Sequence, residues 1–329
     1  MPSTAFGRSL LSKILPLIKL GSRSRYYRIK GALAVHREWE LWCRYEAGAY
    51  SIQAPLPGGG GSFKHSGNAG DVIYALPVIR AVAGAGPARL KLAVDAPFPG
   101  YKPSFRHPLG AVMLNRTMVR MLTPLLLAQP YVESVEVHDG AGVDFDLDAF
   151  RSSPIRQDRL PISRWYLYFL DADADFSRPW LSVEPDERYA GRVAIARSFR
   201  YRGPLIDYGA LRRFERPVFL GVEEEYREMV QVIPDLEWVR VDDLLQMARV
   251  IAACRFFVGN QSMPYALAEG LKVTRILEVS TVTPNCTPIG ARGYDVYFQR
   301  QFEHIIERLS RETPAAGPGG TGLQAGDRP

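Results

Sequence analysis

Two short turns hold the residues whose types and spacing suit chemistry. The first runs Lys64-His65-Ser66-Gly67-Asn68-Ala69-Gly70-Asp71-Val72. Gly67 and Gly70 let a backbone approach a ligand closely. Asp71 stands near the start of an apolar helical pattern, where a carboxylate can take the proton of an attacking hydroxyl. The same position suits a carboxylate that only caps the helix, and spacing alone favours the cap. His65 lies close enough to the turn to touch a substrate. The second turn runs Val258-Gly259-Asn260-Gln261-Ser262-Met263-Pro264. A helix opening at Pro264 directs free backbone N–H groups at an anion such as a diphosphate, and Ser262 adds a hydroxyl donor. Ser262 and Pro264 are also ordinary helix-start residues.

Other chemistries are weaker. The first turn lacks the third glycine of a dinucleotide fingerprint, so a nicotinamide cofactor is disfavoured. Asp171, Asp173 and Asp175 resemble the opening of a calcium loop, but Phe176 stands where its glycine belongs and Ser182 where its closing glutamate belongs. The same run contains DxD, a divalent-cation motif of some glycosyltransferases and a common chance pattern. The five histidines show no metal-ligand spacing. Cys286 has no histidine in a recognisable nucleophile arrangement.

Both turns sit between a strand pattern and a helix pattern. Around the first, Ser62–His65 reads as a strand and 72–83 as a helix, followed by strands at 90–94 and 132–137 and a helix at 118–127. In the second half, strands are expected at 193–195, 217–220, 238–241, 255–258 and 273–279. Helices are expected at 223–232, at 244–253 behind an Asp242 cap, and at 302–309. Strands alternating with helices imply parallel sheets, whose ligands bind at the carboxyl ends of the strands. The expected fold class is α/β with two Rossmann-like lobes facing a cleft.

The expected organisation is a basic extension with a Gly-rich linker at 1–61, an N-terminal Rossmann-like lobe at 62–188, a C-terminal Rossmann-like lobe at 189–300, a C-terminal helix at 301–312 and a disordered tail at 313–329. The four glycines at 58–61 read as a flexible joint. The 329 residues, 47% hydrophobic and 23% charged, are those of a folded globular chain rather than a disordered or fibrous one. Lys+Arg exceeds Asp+Glu by 41 − 35 = 6, an excess that suits phosphate-bearing partners without demanding nucleic acid. Three widely spaced cysteines argue against a disulfide framework. Residues 1–30 carry seven basic residues and no acid around a short apolar stretch, which fits either contact with an anionic membrane surface or a solvated leader.

The segment GNAGDVIYALPVIRAV resembles the first turn and helix of heptosyltransferase-like enzymes, glycosyltransferase family 9. PYVESVEVHD, VFLGVEEEYREMV, DDLLQMARVIAACRFFVGNQSMPYALAEGL and VTRILEV follow in that family's order, so the resemblance spans about 62–300. It implies a GT-B fold and inverting, metal-independent transfer of a sugar from a nucleotide donor, with no cofactor beyond that co-substrate. The acceptor implied is a bacterial surface glycan or lipid-linked precursor handled in the cytoplasm at the membrane's inner face. Asp71 maps onto the family's proposed base, with His65, Gly67, Asn68 and Gly70 forming the acceptor-side loop. Gln261, Ser262 and Met263 map onto the donor-diphosphate motif, where Gln261 replaces Asp, Met263 replaces Gly and Ala266 replaces His. The family often places a cation after the first strand of the second lobe, and here Arg197, Arg200 and Arg202 follow Val193-Ala194-Ile195. Arginine suits bidentate phosphate contacts, and Arg197, first after the strand, is the favoured one. Glu278, at a strand end, is matched to the donor ribose or base. The altered motif also fits a non-catalytic relative that binds nucleotide or glycan, and the DxD run leaves a metal-dependent transferase as a further alternative.

Overall fold

A computed structural model describes residues 18–98, 101 and 107–312. The basic leader at 1–17, including Arg8 and Lys13, and the expected tail at 313–329 lie outside the described residues. Two compact units divide the chain, one within Met1–Ser51 together with Ser152–Ile155, the other within Ile52–Arg151 and Arg156–Pro329.

The first unit holds one long helix, α1 (Arg23–Gly48), which buries none of its residues. Its Ser22 hydroxyl accepts from the Arg25 N–H, the expected N-cap geometry. The helix runs unbroken because nothing between Ser22 and Gly48 interrupts it: Gly31 is tolerated and no proline intervenes.

The second unit carries two parallel sheets. β1 (Gly61–His65), β2 (Ala88–Leu92), β3 (Val132–Val137) and β4 (Phe145–Asp146) form one, in the order β3-β2-β1-β4. β5 (Val193–Ala196), β6 (Val218–Phe219), β7 (Glu237–Trp238), β8 (Phe256–Asn260), β9 (Arg275–Glu278) and β10 (Gly293–Val296) form the other, in the order β10-β9-β8-β5-β6-β7. Starting from β5, that is the 3-2-1-4-5-6 order of dinucleotide-binding folds. The helices are α2 (Ala69–Ala83), α3 (Arg116–Leu127), α4 (Glu223–Val232), α5 (Leu244–Ala253), α6 (Met263–Leu271) and α7 (Gln299–Arg311). The α/β class and the paired parallel sheets expected from the sequence are therefore present.

Burial explains the placement. β5, β8 and β9 are buried throughout, as strands covered on both faces must be. α2 is apolar almost all round because other elements surround it: it contacts β1, β2, α6 and the 3₁₀ turn at Ile162–Tyr168. Val72, Ile73, Leu76 and Ile79 are at most 1% exposed. Each such side chain contributes about 2 kcal/mol, enough to fix where the helix starts. A Cβ placed on Gly70 would lie 3.7 Å from Ala266 Cβ and Met263 Cα, so the first turns of α2 and α6 abut.

Several boundaries differ from the sequence reading. α2 opens at Ala69, so Asp71 lies inside its first turn rather than in the loop before it. The cap of α5 is Asp243, whose Oδ1 accepts from Gln246 N–H at 2.9 Å, and not Asp242. β4 and β10 are too short or too polar to stand out as apolar runs. The glycines at 58–61 do not make a flexible joint: Gly60 N–H donates to Ala83 O at 2.8 Å and Gly61 N–H to Pro87 O at 3.1 Å. Gly59 sits at φ 77°, and a Cβ there would strike the Ala83 carbonyl.

Candidate active site

In the second sheet the chain leaves the neighbouring central strands β5 and β8 in opposite directions, and a crevice opens where it does so. In the first sheet β1 lies beside the edge strand β4, which is not its neighbour along the chain. All four carboxyl ends carry polar groups. Among the residues expected for chemistry, the Ser66–Asp71 turn follows β1, Arg197–Arg202 follows β5, and Gln261–Met263 follows β8.

Asp71 is buried at the start of α2. Its Oδ2 accepts from the Asn68 N–H at 3.1 Å and lies 3.6 Å from Arg151 Nη2; Oδ1 takes part in neither contact. Asp71 thus does cap its helix. The cap and a chemical role are compatible, because the cap uses one oxygen.

His65, at the end of β1, is 2% exposed. Its Nδ1 accepts from the Gly67 N–H at 2.9 Å, so that nitrogen carries no proton and Nε2 is the N–H. Nε2 donates to Tyr166 Oη at 2.9 Å, and Tyr166 Oη donates to the Asp71 carbonyl at 3.0 Å. Burial lowers the His65 pKa to about 4, keeping the ring neutral as this chain of donors requires. His65 therefore supports the turn from beneath rather than facing a ligand. Gly67 is required by space: a Cβ there would meet Arg151 Nη2, His65 Cε1 and Asp71 Oδ2.

Sequence reasoning missed three residues here: Asp148, Arg151 and Tyr166. Asp148 Oδ1 accepts from the Ser66 N–H at 3.1 Å and from Arg151 Nε at 3.0 Å. Burial pushes the Asp148 carboxyl up, but the charge and hydrogen bonds of its neighbours, Arg151 among them, outweigh it and the pKa falls. Burial pulls the Arg151 guanidinium down, but Asp71 and Asp148 hold it firmly protonated. Its Nη2 is buried without a hydrogen-bond partner among the described residues, as is Asn68 Oδ1. The only signal in the sequence was two carboxylates, Asp146 and Asp148, bracketing a strand end too short to read.

On the second lobe the loop after β5 is pinned at both ends. Asn260, fully buried, accepts from the Ser198 N–H at 3.0 Å and donates to Ser198 O at 2.9 Å and Arg200 O at 2.6 Å. Arg197 donates to both oxygens of buried Glu278, at 2.9 and 2.8 Å, and lies 4.5 Å over the Tyr208 ring. Glu278 also accepts from the Gly203 N–H at 2.7 Å. Arg197 and Glu278, expected on donor phosphate and donor ribose respectively, are each other's partners. Gln261 is likewise engaged: Oε1 accepts from Ser280 N–H at 2.7 Å, and Nε2 donates to Thr283 O at 2.6 Å and Asn285 Oδ1 at 2.9 Å. Its amide holds the 280–285 loop over the carboxyl ends of β8 and β9.

Arg202 pairs with Glu228 at 2.5 Å. Of the three loop arginines, that leaves Arg200. Among the described residues its guanidinium makes no hydrogen bond or ion pair, and its Nε is buried and unpartnered. Burial lowers its pKa, and it is near enough to feel Asp71 and Glu225. His107, near Arg200, falls to about 4, first through burial and then through that positive charge. The chain turns just past Arg200 with Tyr201 at φ 59°, a left-handed conformation uncommon outside glycine. Ser262 Oγ donates to Asn260 O at 3.2 Å, and Met263 opens α6.

Among the described residues no group of three or more His, Cys, Asp or Glu is arranged to hold a metal ion. Of the DxD run, Asp175 is engaged with the Ser177 N–H and hydroxyl and with Arg178. A groove of about 1090 Å³ lies at the opposite, amino-terminal ends of β2, β3 and β9, lined by Arg80, Tyr131, Trp180 and Val273 among others.

No family model and no curated protein matches the chain. Among solved structures, it is similar to the family 9 glycosyl transferase of Veillonella parvula DSM 2008, with TM-score 0.48 and 11% identity over 80% of this chain and 92% of that one. It is also similar to E. coli heptosyltransferase WaaC with ADP, with TM-score 0.46 and 12% identity over 75% of this chain and 99% of that one. A third is E. coli ADP-heptose lps heptosyltransferase II, with TM-score 0.46 and 12% identity over 75% of this chain and 97% of that one.

Proposed function

We propose that the chain is an inverting glycosyltransferase of the family 9 type, transferring a sugar from a nucleotide-diphosphate donor to a glycan or lipid-linked acceptor without a bound metal. The observation that carries this reading is Arg200: a half-buried arginine whose buried Nε has no hydrogen-bond partner and whose guanidinium has no ion pair among the described residues, following the second lobe's central strand and within electrostatic reach of Asp71. A cation drawn partly out of water without a counter-charge is costly. An anionic ligand between Arg200 and the amino terminus of α6 offsets that cost.

In this reading the acceptor hydroxyl gives its proton to Asp71 as its oxygen bonds to the anomeric carbon. The bond from that carbon to the diphosphate oxygen breaks on the opposite face, inverting the configuration. The electron pair leaves with the diphosphate, whose growing negative charge Arg200 and the free N–H groups at the start of α6 stabilise. Arg151 holds Asp71 in place. Arg197, Gln261 and Glu278 brace the loops that present Arg200 and Ser262. The same reading places the enzyme in the cytoplasm at the inner face of the membrane, where lipid-linked acceptors are presented.

A second reading draws on the capping role of Asp71: a protein that binds nucleotide in this crevice without turnover. Thermal-shift titrations with ADP, UDP, GDP, CDP and dTDP, with and without chelator, test the binding common to both. A ligand at 100 times its dissociation constant stabilises by about 2.7 kcal/mol. One diphosphate that stabilises the wild type regardless of chelator, and Arg200→Ala much less, supports the site. Absence of any shift contradicts it. Release of nucleoside diphosphate from the matching nucleotide sugar then separates transferase from binder.

A further inference from the structure

Outside the crevice, the most prominent unexplained surface is α1. A soluble domain rarely leaves a helix of 26 residues with none buried. Its large side chains face solvent: Tyr27 and Trp39 are each 61% exposed, Val35 is 68% and Trp42 is 41%. At 100° per residue, Tyr27, Val35, Trp39 and Trp42 fall within an arc of about 120° on one side of the helix.

The charges around this stripe are uneven along the chain. Lys19, Arg23, Arg25, Arg28, Lys30 and Arg37 precede the first acid, Glu38. Arg23, Arg25 and Arg28 form no ion pair with a described residue, and Arg28 falls within the arc of the aromatic stripe. Lys19 and Lys30 lie 5.5 and 5.7 Å from the Tyr26 ring rather than on a carboxylate. Glu38 shares the stripe's side and Glu40 and Glu46 follow, so attraction to an anionic surface resides in the first half and aromatic contact in the second.

We propose that α1 docks this protein on an anionic lipid bilayer, with Arg23, Arg25 and Arg28 against the headgroups and Tyr27, Trp39 and Trp42 seated at the interface. Tryptophan and tyrosine settle at that depth because one end of each ring is apolar and the other polar. Apolar and basic residues are not cleanly segregated around the helix, so the attachment is reversible and sensitive to salt. No helix among the described residues is long and apolar enough to cross a membrane. The inference stands independently of the transferase reading, and its test uses no nucleotide.

The test is co-sedimentation of the full chain with vesicles of phosphatidylcholine alone, or of phosphatidylcholine with about 30% phosphatidylglycerol, at low and high salt. The expected result is binding to the anionic vesicles only, weakened by salt. Each basic residue near such a surface raises affinity roughly fivefold, so Arg23→Glu/Arg25→Glu/Arg28→Glu lowers binding by at least about a hundredfold. Trp39→Ala/Trp42→Ala lowers binding several-fold and removes the tryptophan blue shift that accompanies it. These side chains are exposed, so both variants keep the wild-type far-ultraviolet spectrum. Absence of binding to anionic vesicles at low salt overturns the proposal, as does equal binding by both variants. So does a wild-type dimer in light scattering that Trp39→Ala/Trp42→Ala converts to monomer, which assigns the stripe to a second copy of the chain.

Discussion

Arg197 and Arg200 stand three residues apart and are expected to fail in opposite ways when truncated. Arg197→Ala leaves Glu278 buried beside Gly203 with its cation gone, a loss of roughly 3–5 kcal/mol. Arg200→Ala removes a half-buried charge without an ion pair among the described residues, so stability stays level or rises while affinity for the nucleoside diphosphate falls at least about tenfold. Chemical denaturation and calorimetry on the two variants separate a brace from a ligand. Sequence favoured Arg197 because it comes first after the strand. The ion pair that occupies it joins positions 81 residues apart, and adjacency along the chain carries no sign of that. Asp71 was legible because a carboxylate in a glycine-bearing turn is a local feature. Asp71→Asn keeps an amide oxygen for the cap and loses the base; transfer is expected to fall by about 10²–10⁴ with little change in melting temperature.

Two polar networks hold the crevice at the level of elements. Asn260 ties the end of β8 to the loop after β5 through three hydrogen bonds. Asn260→Ala takes the side-chain partner from the Ser198 N–H and C=O, while the Arg200 carbonyl keeps the Ser198 hydroxyl, and is expected to cost about 2 kcal/mol. It also releases Arg200, so diphosphate affinity falls with stability, a joint loss that distinguishes it from Arg200→Ala. His65 ties β1 to the turn only while neutral. Its folded pKa, about 4, lies below the unfolded value of 6.5. Its contribution is therefore complete above pH 6.5 and is lost as pH falls from 6.5 through 4. That gap amounts to roughly 3 kcal/mol. Stability profiles between these limits are expected to fall more steeply for wild type than for His65→Gln. The long elements were legible because their apolar periods are strong: β3 and α4 match the sequence reading residue for residue. β4 was not, because two residues give no period, and Asp148 and Arg151 went with it.

For the whole molecule, the parallel architecture follows from the alternation of strand and helix patterns, while the strand order depends on pairing between distant segments. That order nevertheless fixes the site: both departures from sequential neighbours, at β1/β4 and β5/β8, bring the singled-out turns to the same ends of their sheets. Contact between Gly70 and Met263 brings the two turns together. A Cβ at Gly70 finds only ordinary van der Waals distances, so Gly70→Ala is expected to fold normally. Gly70→Leu drives a larger side chain between α2 and α6, costing about 1–3 kcal/mol and weakening nucleotide binding. Melting curves with and without diphosphate check both variants.

The central claim is that an anionic ligand sits at the carboxyl ends of β5 and β8 against Arg200. The most direct measurement is a crystal structure of the full chain with the nucleoside diphosphate that stabilises it most. The account predicts phosphate oxygens within hydrogen-bond distance of the Arg200 guanidinium and of the first free N–H groups of α6, with the Asp71 carboxylate facing the open side of the β-phosphate. A nucleotide bound instead in the groove beside Arg80, Tyr131 and Trp180, with Arg200 untouched, contradicts it.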